Sequence, residues 1–183
     1  MSASEVLGHT AGVREVYSEA YGAPPWSEHP GRADDYVRRL ADDVKRPGFT
    51  AALALDGDAV LGYATAWTTP ESFPTDRCYP YISAALGERH TSAWLCGARE
   101  VDELAVAARA RGAGLGARLL AAVTEERSDG LCWLLTSVRA RAACAFYERQ
   151  GWTQATHPAP EGAGYAAFLG PRHPARPAAP RPI

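Results

Sequence analysis

Apolar residues recur at helical spacing in the first segment, where Val13, Val16, Tyr17, Ala20 and Tyr21 mark one face of a helix that stops at Gly22. Ala23-Pro24-Pro25-Trp26-Ser27 reads as a stiff loop. A second helix is predicted over Arg32 to Val44, with Tyr36, Val37, Leu40 and Val44 on one face and acids on the other, ended by Pro47-Gly48. Phe49 to Leu55 and Ala59 to Trp67 read as strands around Asp56-Gly57-Asp58, a hairpin signal. From Thr68 to Trp94 the pattern dissolves among Pro70, Pro74, Pro80 and Gly87, so residues 68–94 are expected to be an inserted loop region.

The second half is more regular. A strand ends in Val101-Asp102-Glu103-Leu104-Ala105-Val106, and the glycine-rich turn Arg111-Gly112-Ala113-Gly114-Leu115-Gly116 follows. A helix then runs to about Arg127, with Leu115, Leu119, Leu120 and Val123 inward, and Ser128-Asp129-Gly130 breaks it. Leu131 to Val138 is a near-continuous apolar run, as a strand buried on both faces requires. Ala140 to Gln150 reads as a helix closed by Gly151, and weaker strands fit Trp152 to Thr156 and Tyr165 to Leu169. From Pro171 onward, five prolines and three arginines in thirteen residues predict a disordered or extended tail. The expected organisation is one domain over residues 1–170 and a tail over 171–183.

Composition narrows the function classes. The chain has 183 residues, 46% of them hydrophobic and 22% charged, with a net charge of −2. That excludes nucleic-acid binding by bulk positive charge. Cys78, Cys96, Cys132 and Cys144 form no CxxC and stand at no zinc spacing with the histidines, so neither a metal nor a disulfide framework is expected. The N-terminus lacks the pattern of a secretory signal, and no apolar run approaches the ~20 residues a membrane span needs. A soluble, cytoplasmic protein is the expectation.

The strand–glycine–helix order over 101–127 carries the chemistry. Glycines let the backbone approach a ligand closely, and amides at a helix N-terminus suit phosphate. Arg111, with Arg109, adds full charge beside them. A P-loop is excluded because no GK[ST] follows the glycines. Gly112, Gly114 and Ala117 match the dinucleotide string, but the next strand ends in Thr136-Ser137 without the required acid. The pyrophosphate of coenzyme A is the third candidate ligand.

Two segments resemble the GNAT superfamily of N-acetyltransferases. Leu104-Ala105-Val106 with Arg111-Gly112-Ala113-Gly114-Leu115-Gly116 is similar to the family's R/Q-x-x-G-x-G/A coenzyme A loop. Ala143 with Phe146-Tyr147-Glu148-Arg149-Gln150-Gly151-Trp152 is similar to its A-x-x-F-Y-E-x-x-G-F/W helix. The resemblance covers roughly residues 10–170. It implies an α+β fold: a mixed, mostly antiparallel sheet with two parallel, splayed central strands and about four flanking helices.

It also implies acetyl transfer from acetyl-CoA, without a metal, to the amine of a small-molecule acceptor. Leu104, Ala105 and Val106 would hold pantetheine and the thioester carbonyl through their backbones, and Arg111, Gly112, Ala113, Gly114, Leu115, Gly116 and Ala117 would take the pyrophosphate. Tyr147 would protonate the departing thiolate. A carboxylate on the strand, Glu103 before Asp102, would take the proton of the amine. Trp26, Tyr79 and Tyr81 are the candidate acceptor contacts. No nucleic-acid or membrane partner is implied, and paired sheets in the family make a homodimer a candidate assembly.

The chain departs from the pattern at Ala140, where the family often has Asn, and at Leu135, where members that acetylate protein N-termini carry a glutamate. A non-catalytic acyl-CoA-binding module on the same fold is the alternative.

Overall fold

The computed structural model describes residues 3–158 and 164–179. In chain order the elements are α1 (Ala3–Gly8), α2 (Thr10–Tyr21), α3 (Gly31–Asp43), β1 (Thr50–Asp56), β2 (Ala59–Thr68), α4 (Tyr79–Leu86) and α5 (Glu88–Trp94). They continue with β3 (Arg99–Val106), α6 (Leu115–Thr124), β4 (Cys132–Ser137), α7 (Arg141–Arg149), β5 (Thr153–Gln154) and β6 (Tyr165–Leu169). The architecture is mixed α+β, with seven α-helices rather than about four among the described residues. The chain forms two compact units. One holds the residues up to Trp67 together with Val101–Glu126, and the other holds Thr68–Glu100 together with the described residues from Arg127 onward.

The first unit is built on the hairpin. Asp56 pairs with Ala59, so Gly57 and Asp58 alone make the turn. The register slips between Ala54, opposite Gly62, and Leu55, opposite Val60, which leaves Leu61 as an extra residue. Its carbonyl accepts a bond of 2.9 Å from the Ala107 amide, just past β3. At Gly62 an added Cβ would lie 2.9 Å from the Ala105 carbonyl oxygen and 3.0 Å from Leu119 Cδ1, so only glycine permits this approach of β2 to β3 and α6. Val13, Val16 and Tyr17 of α2 and Tyr36 and Leu40 of α3 share a core with Ala51, Val60 and Tyr63.

The second unit pairs β6 antiparallel with β4 (Leu135 opposite Ala167) and with β5 (Thr153 opposite Leu169). Its core contains Tyr79, Ile82, Leu86, Trp94, Leu95, Trp133 and Leu169. Residues 79–94 are therefore two helices rather than loop. Pro80 sits in the first turn of α4, where no backbone donor is lost, and Gly87 (φ 74°) divides α4 from α5. The punctuation that reads as loop in the sequence is helix start and stop.

The tail expectation also changes. His173 is buried; its Nε2–H donates to the Trp94 carbonyl at 2.9 Å, and its Nδ1 accepts from the Ala175 amide at 3.1 Å. Arg176 Nε donates to Thr153 Oγ1 at 3.0 Å. Residues 171–179 are thus tied down by side-chain hydrogen bonds that composition does not reveal, while residues 180–183 lie outside the described ones. No helix among the described residues is long and apolar enough to cross a membrane, and no group of potential metal ligands clusters among them.

Candidate active site

Strand β3 carries two carboxylates side by side in the first unit. Arg39 of α3 clamps them. Its Nη2 lies 3.0 Å from Asp102 Oδ2 and 3.6 Å from Glu103 Oε1, while its Nε donates to Asp43 Oδ2 at 3.0 Å. The guanidinium also lies 5.2 Å from the centre of the Tyr36 ring. Strict alternation would send Asp102 and Glu103 to opposite faces, yet one nitrogen meets both. The side chain of Asp102 is 2% exposed and that of Glu103 is 13% exposed. Asp102 is therefore the buried partner of an ion pair, and Glu103 is the more accessible carboxylate. Glu100 does not join them. It belongs to the second unit, where its carboxylate accepts from the Tyr79 hydroxyl at 2.7 Å.

A row of aromatic rings lies on the same side of the first unit. Trp26 meets Tyr21 edge-on with centroids 5.4 Å apart, and Tyr21 lies 4.6 Å from Tyr17. Tyr17 stacks on Tyr36 at 4.9 Å, and Tyr36 stacks on Tyr63 at 5.7 Å. The Tyr17 hydroxyl donates to Glu28 Oε2 at 2.7 Å, and the Tyr21 hydroxyl donates to the Leu104 carbonyl at 3.4 Å. Burial, then the negative charge of Glu103, holds the hydroxyls of Tyr17 and Tyr36 far above the ordinary tyrosine range. For Tyr63 burial leads, followed by Tyr36 and then Glu103. These hydroxyls stay protonated at any working pH. Tyr63 is fully buried, and its hydroxyl has no hydrogen-bond partner among the described residues.

Past β3 the chain makes a single 3-10 turn over Ala108–Ala110, held by Glu19, whose Oε1 accepts from the Ala108 amide at 2.9 Å. Gly112 (φ 83°) and Gly114 (φ 75°) are left-handed, and nothing occupies the position of a Cβ at either. The first hydrogen bond of α6 runs from the Arg118 amide to the Gly114 carbonyl, so the amides of Leu115, Gly116 and Ala117 lie ahead of the helical ladder. Backbone donors beside an open glycine surface fit a pyrophosphate. Arg111 Nε is turned back onto the Val106 carbonyl at 3.1 Å, fixing the end of β3 to the turn.

The other predicted residues belong to the second unit. Tyr147 is buried on α7, with ring centroids 5.2 Å from Phe146, 5.9 Å from Phe168 and 6.2 Å from Trp152. Ala140 supplies no side-chain cap to α7, but Ser137 Oγ accepts from the Arg139 amide at 3.2 Å. Tyr79 is a core residue packed against Phe73, with its hydroxyl taken up by Glu100. Tyr81 is 56% exposed and lies 6.4 Å from Tyr165. Among the predicted residues the structure brings together Trp26, Asp102, Glu103 and the 104–117 segment. Tyr17, Tyr21, Glu28, Tyr36, Arg39 and Tyr63 were not anticipated in the site. Helical and strand spacing marks the four tyrosines as core, and Tyr17, Tyr36 and Tyr63 are buried there.

Residues 47–154, more than half of the chain, match the family model of the acetyltransferase (GNAT) domain. The chain belongs to the GNAT family. Known GNAT structures share its fold at low identity. A GNAT-family protein from Desulfovibrio desulfuricans is 22% identical, with a TM-score of 0.60 over 89% of this chain and 90% of that one. The PaiA N-acetyltransferase of Thermoplasma acidophilum, solved with coenzyme A, is 13% identical, with a TM-score of 0.60 over 93% and 95%. The protein yncA of Salmonella typhimurium, solved with its cofactor acetyl-CoA, is 16% identical, with a TM-score of 0.57 over 88% and 86%. No curated protein matches the chain in sequence. The GNAT match begins after α3, so Tyr17, Tyr21, Trp26, Glu28, Tyr36 and Arg39 all lie ahead of it.

Proposed function

We propose that the protein transfers an acetyl group from acetyl-CoA to a primary amine of a small-molecule acceptor. The observation that carries this reading is the turn between β3 and α6. Left-handed Gly112 and Gly114 leave an open backbone surface at a helix N-terminus, directly after a strand that ends in Leu104-Ala105-Val106. The amides of residues 112–117 bind the pyrophosphate, and the backbone of residues 104–106 holds pantetheine. Acetyl-CoA, when bound, supplies an activated thioester; the remaining chemistry is proton transfer and polarisation.

Glu103 is the base. It is more exposed than Asp102 and more loosely held by Arg39, at 3.6 Å against 3.0 Å. An amide of Ala105 or Val106 polarises the thioester carbonyl. Tyr147, carried by the match of the α7 segment to the family pattern, returns a proton to the sulfur. A cytoplasmic setting goes with this reading, and the four free thiols favour it.

Thermal unfolding with acetyl-CoA, and with NAD as control, tests the cofactor. At a hundred times the dissociation constant the gain is about 2.7 kcal/mol, a rise in Tm of roughly 5–10 °C for a chain of this size. A rise with acetyl-CoA alone supports the reading, and none removes it. Turnover then separates an enzyme from a binding module. Tyr147→Phe is expected to lower kcat by about 10²-fold with little change in acetyl-CoA binding.

A further inference from the structure

The peptide group that joins Val106 to Ala107 points in two directions. Its amide, on Ala107, donates to the Leu61 carbonyl of β2 at 2.9 Å. The bond is trans, since the one cis bond among the described residues is Pro24-Pro25. Its carbonyl, on Val106, therefore faces away from β2. That is the edge of β3 open to the pantetheine arm, whose amides would pair with it as a neighbouring strand does. In this structure the place is taken, because Arg111 Nε donates to the Val106 carbonyl at 3.1 Å.

The contact belongs to the side chain alone. The backbone between the two residues is fixed by other bonds. The Ala108 amide donates to Glu19 Oε1 at 2.9 Å, the Ala110 amide to the Ala107 carbonyl at 2.9 Å, and the Arg111 amide to the Ala108 carbonyl at 3.2 Å. Arg111 is exposed and makes no ion pair among the described residues. It stands directly ahead of left-handed Gly112, where the open amide surface begins. A long, solvated side chain on a fixed backbone changes rotamer within nanoseconds. Arg111 thus has one acceptor behind it, the Val106 carbonyl, and a second ahead of it once a pyrophosphate is bound. Only the pyrophosphate answers the guanidinium with charge of its own, and only it accepts the fork bidentately.

We propose that Arg111 determines which acyl carrier is accepted: it covers the Val106 carbonyl until a pyrophosphate draws it forward, and so admits pantetheine only behind a phosphate. The phosphate half of acetyl-CoA opens the place for the other half. Acyl-pantetheine without phosphates has to displace the guanidinium unaided, and its apparent affinity drops by the fraction of time the carbonyl is covered. The inference rests on the reading of residues 104–117 as the cofactor site, but it concerns binding and needs no turnover to test.

Two fragments separate the halves of the cofactor: pantetheine, which is uncharged, and inorganic pyrophosphate. Both are titrated into the whole ¹⁵N-labelled chain, with the backbone amides of residues 104–117 as the NMR readout. Pantetheine is expected to bind about fivefold more tightly with saturating pyrophosphate than alone. In Arg111→Ala, pantetheine alone is expected to bind as tightly as it does to the native chain with pyrophosphate. The coupling is then gone, and pyrophosphate itself binds about tenfold more weakly. Arg111→Gln sets a side-chain N–H at the same bond distance from the backbone as Nε, without the charge. It is expected to keep pantetheine weak whether pyrophosphate is present or not. An arginine that only braces the turn gives the opposite result for alanine, a loss of pantetheine affinity.

Pantetheine affinity indifferent to pyrophosphate in the native chain overturns the proposal. So does an Arg111→Ala variant that fails to bind pantetheine more tightly. Coenzyme A titrated alongside keeps the two readings apart. Coenzyme A binding with uncoupled fragments removes the role of Arg111 and leaves the cofactor site standing, whereas no binding of coenzyme A removes both.

Discussion

Arg39 is the residue on which the acidic end of the site depends. It touches Asp43, Asp102 and Glu103 and lies against the Tyr36 ring. Two of those carboxylates have side chains only 2% exposed. Removing one partner of a buried pair weakens the hold on the other charge, which costs more than the pair contributes. Arg39→Ala is expected to destabilise the fold by about 3 kcal/mol, read as a lower midpoint in urea. Arg46, whose Nε donates to Asp43 Oδ1 at 2.7 Å, keeps Asp43 paired, so the damage falls on Asp102 and Glu103. Arg39→Lys keeps the charge but not the fork. It is expected to restore part of the stability, read as a urea midpoint between those of the native chain and Arg39→Ala.

At the scale of elements, glycine acts in two distinct ways, and two substitutions separate them. Gly62→Ala puts a methyl 2.9 Å from a carbonyl oxygen of β3 and 3.0 Å from α6. The strands have to part, at a cost of about 1–3 kcal/mol, and cofactor affinity falls with stability. Gly114→Ala meets open space, so only the left-handed backbone objects, at about 1 kcal/mol. Here acetyl-CoA binding is expected to fall further than stability, because the methyl covers the surface that the pyrophosphate needs. Thermal midpoints with and without acetyl-CoA distinguish the two.

The glycine turn and the flanking strand and helix were legible in the sequence, because a buried strand and an amphipathic helix have unlike periods. Helices α4 and α5 were not, since Pro80 and Gly87 punctuate helices as readily as loops. The tyrosine row was legible only as core. Spacing tells which face a residue occupies, not that Tyr63 keeps a hydroxyl with no partner among the described residues.

For the whole molecule, His173 ties the 171–179 segment to the second unit and brings a pH dependence with it. Burial holds its pKa below the ordinary histidine value, against the opposing pull of the Trp94 carbonyl. The neutral ring donates from Nε2 and accepts at Nδ1, so a second proton breaks the bond from the Ala175 amide. The unfolded chain therefore binds this proton more readily than the folded one. Stability is at its full value above about pH 6.5 and falls as pH drops from there towards the depressed folded pKa. Tm is expected to decline as the pH falls below about 6.5, and His173→Gln is expected to flatten that decline from a lower starting stability.

The two compact units are interleaved along the chain: the first takes residues up to Trp67 and then Val101–Glu126, and the second takes what lies between and after. A ribosome delivers these pieces in an order that suits neither unit. When the hairpin emerges, its neighbour β3 is still more than thirty residues from synthesis, and α4 and α5 arrive before any strand of their own unit. The nascent chain thus carries β2 paired on one edge only, and half-built cores, until α6 has left the tunnel, and the second unit waits for β6. A stall placed within residues 68–100 is expected to yield a protease-sensitive nascent chain, and one placed in an appended C-terminal linker long enough to clear the ribosomal tunnel a resistant one.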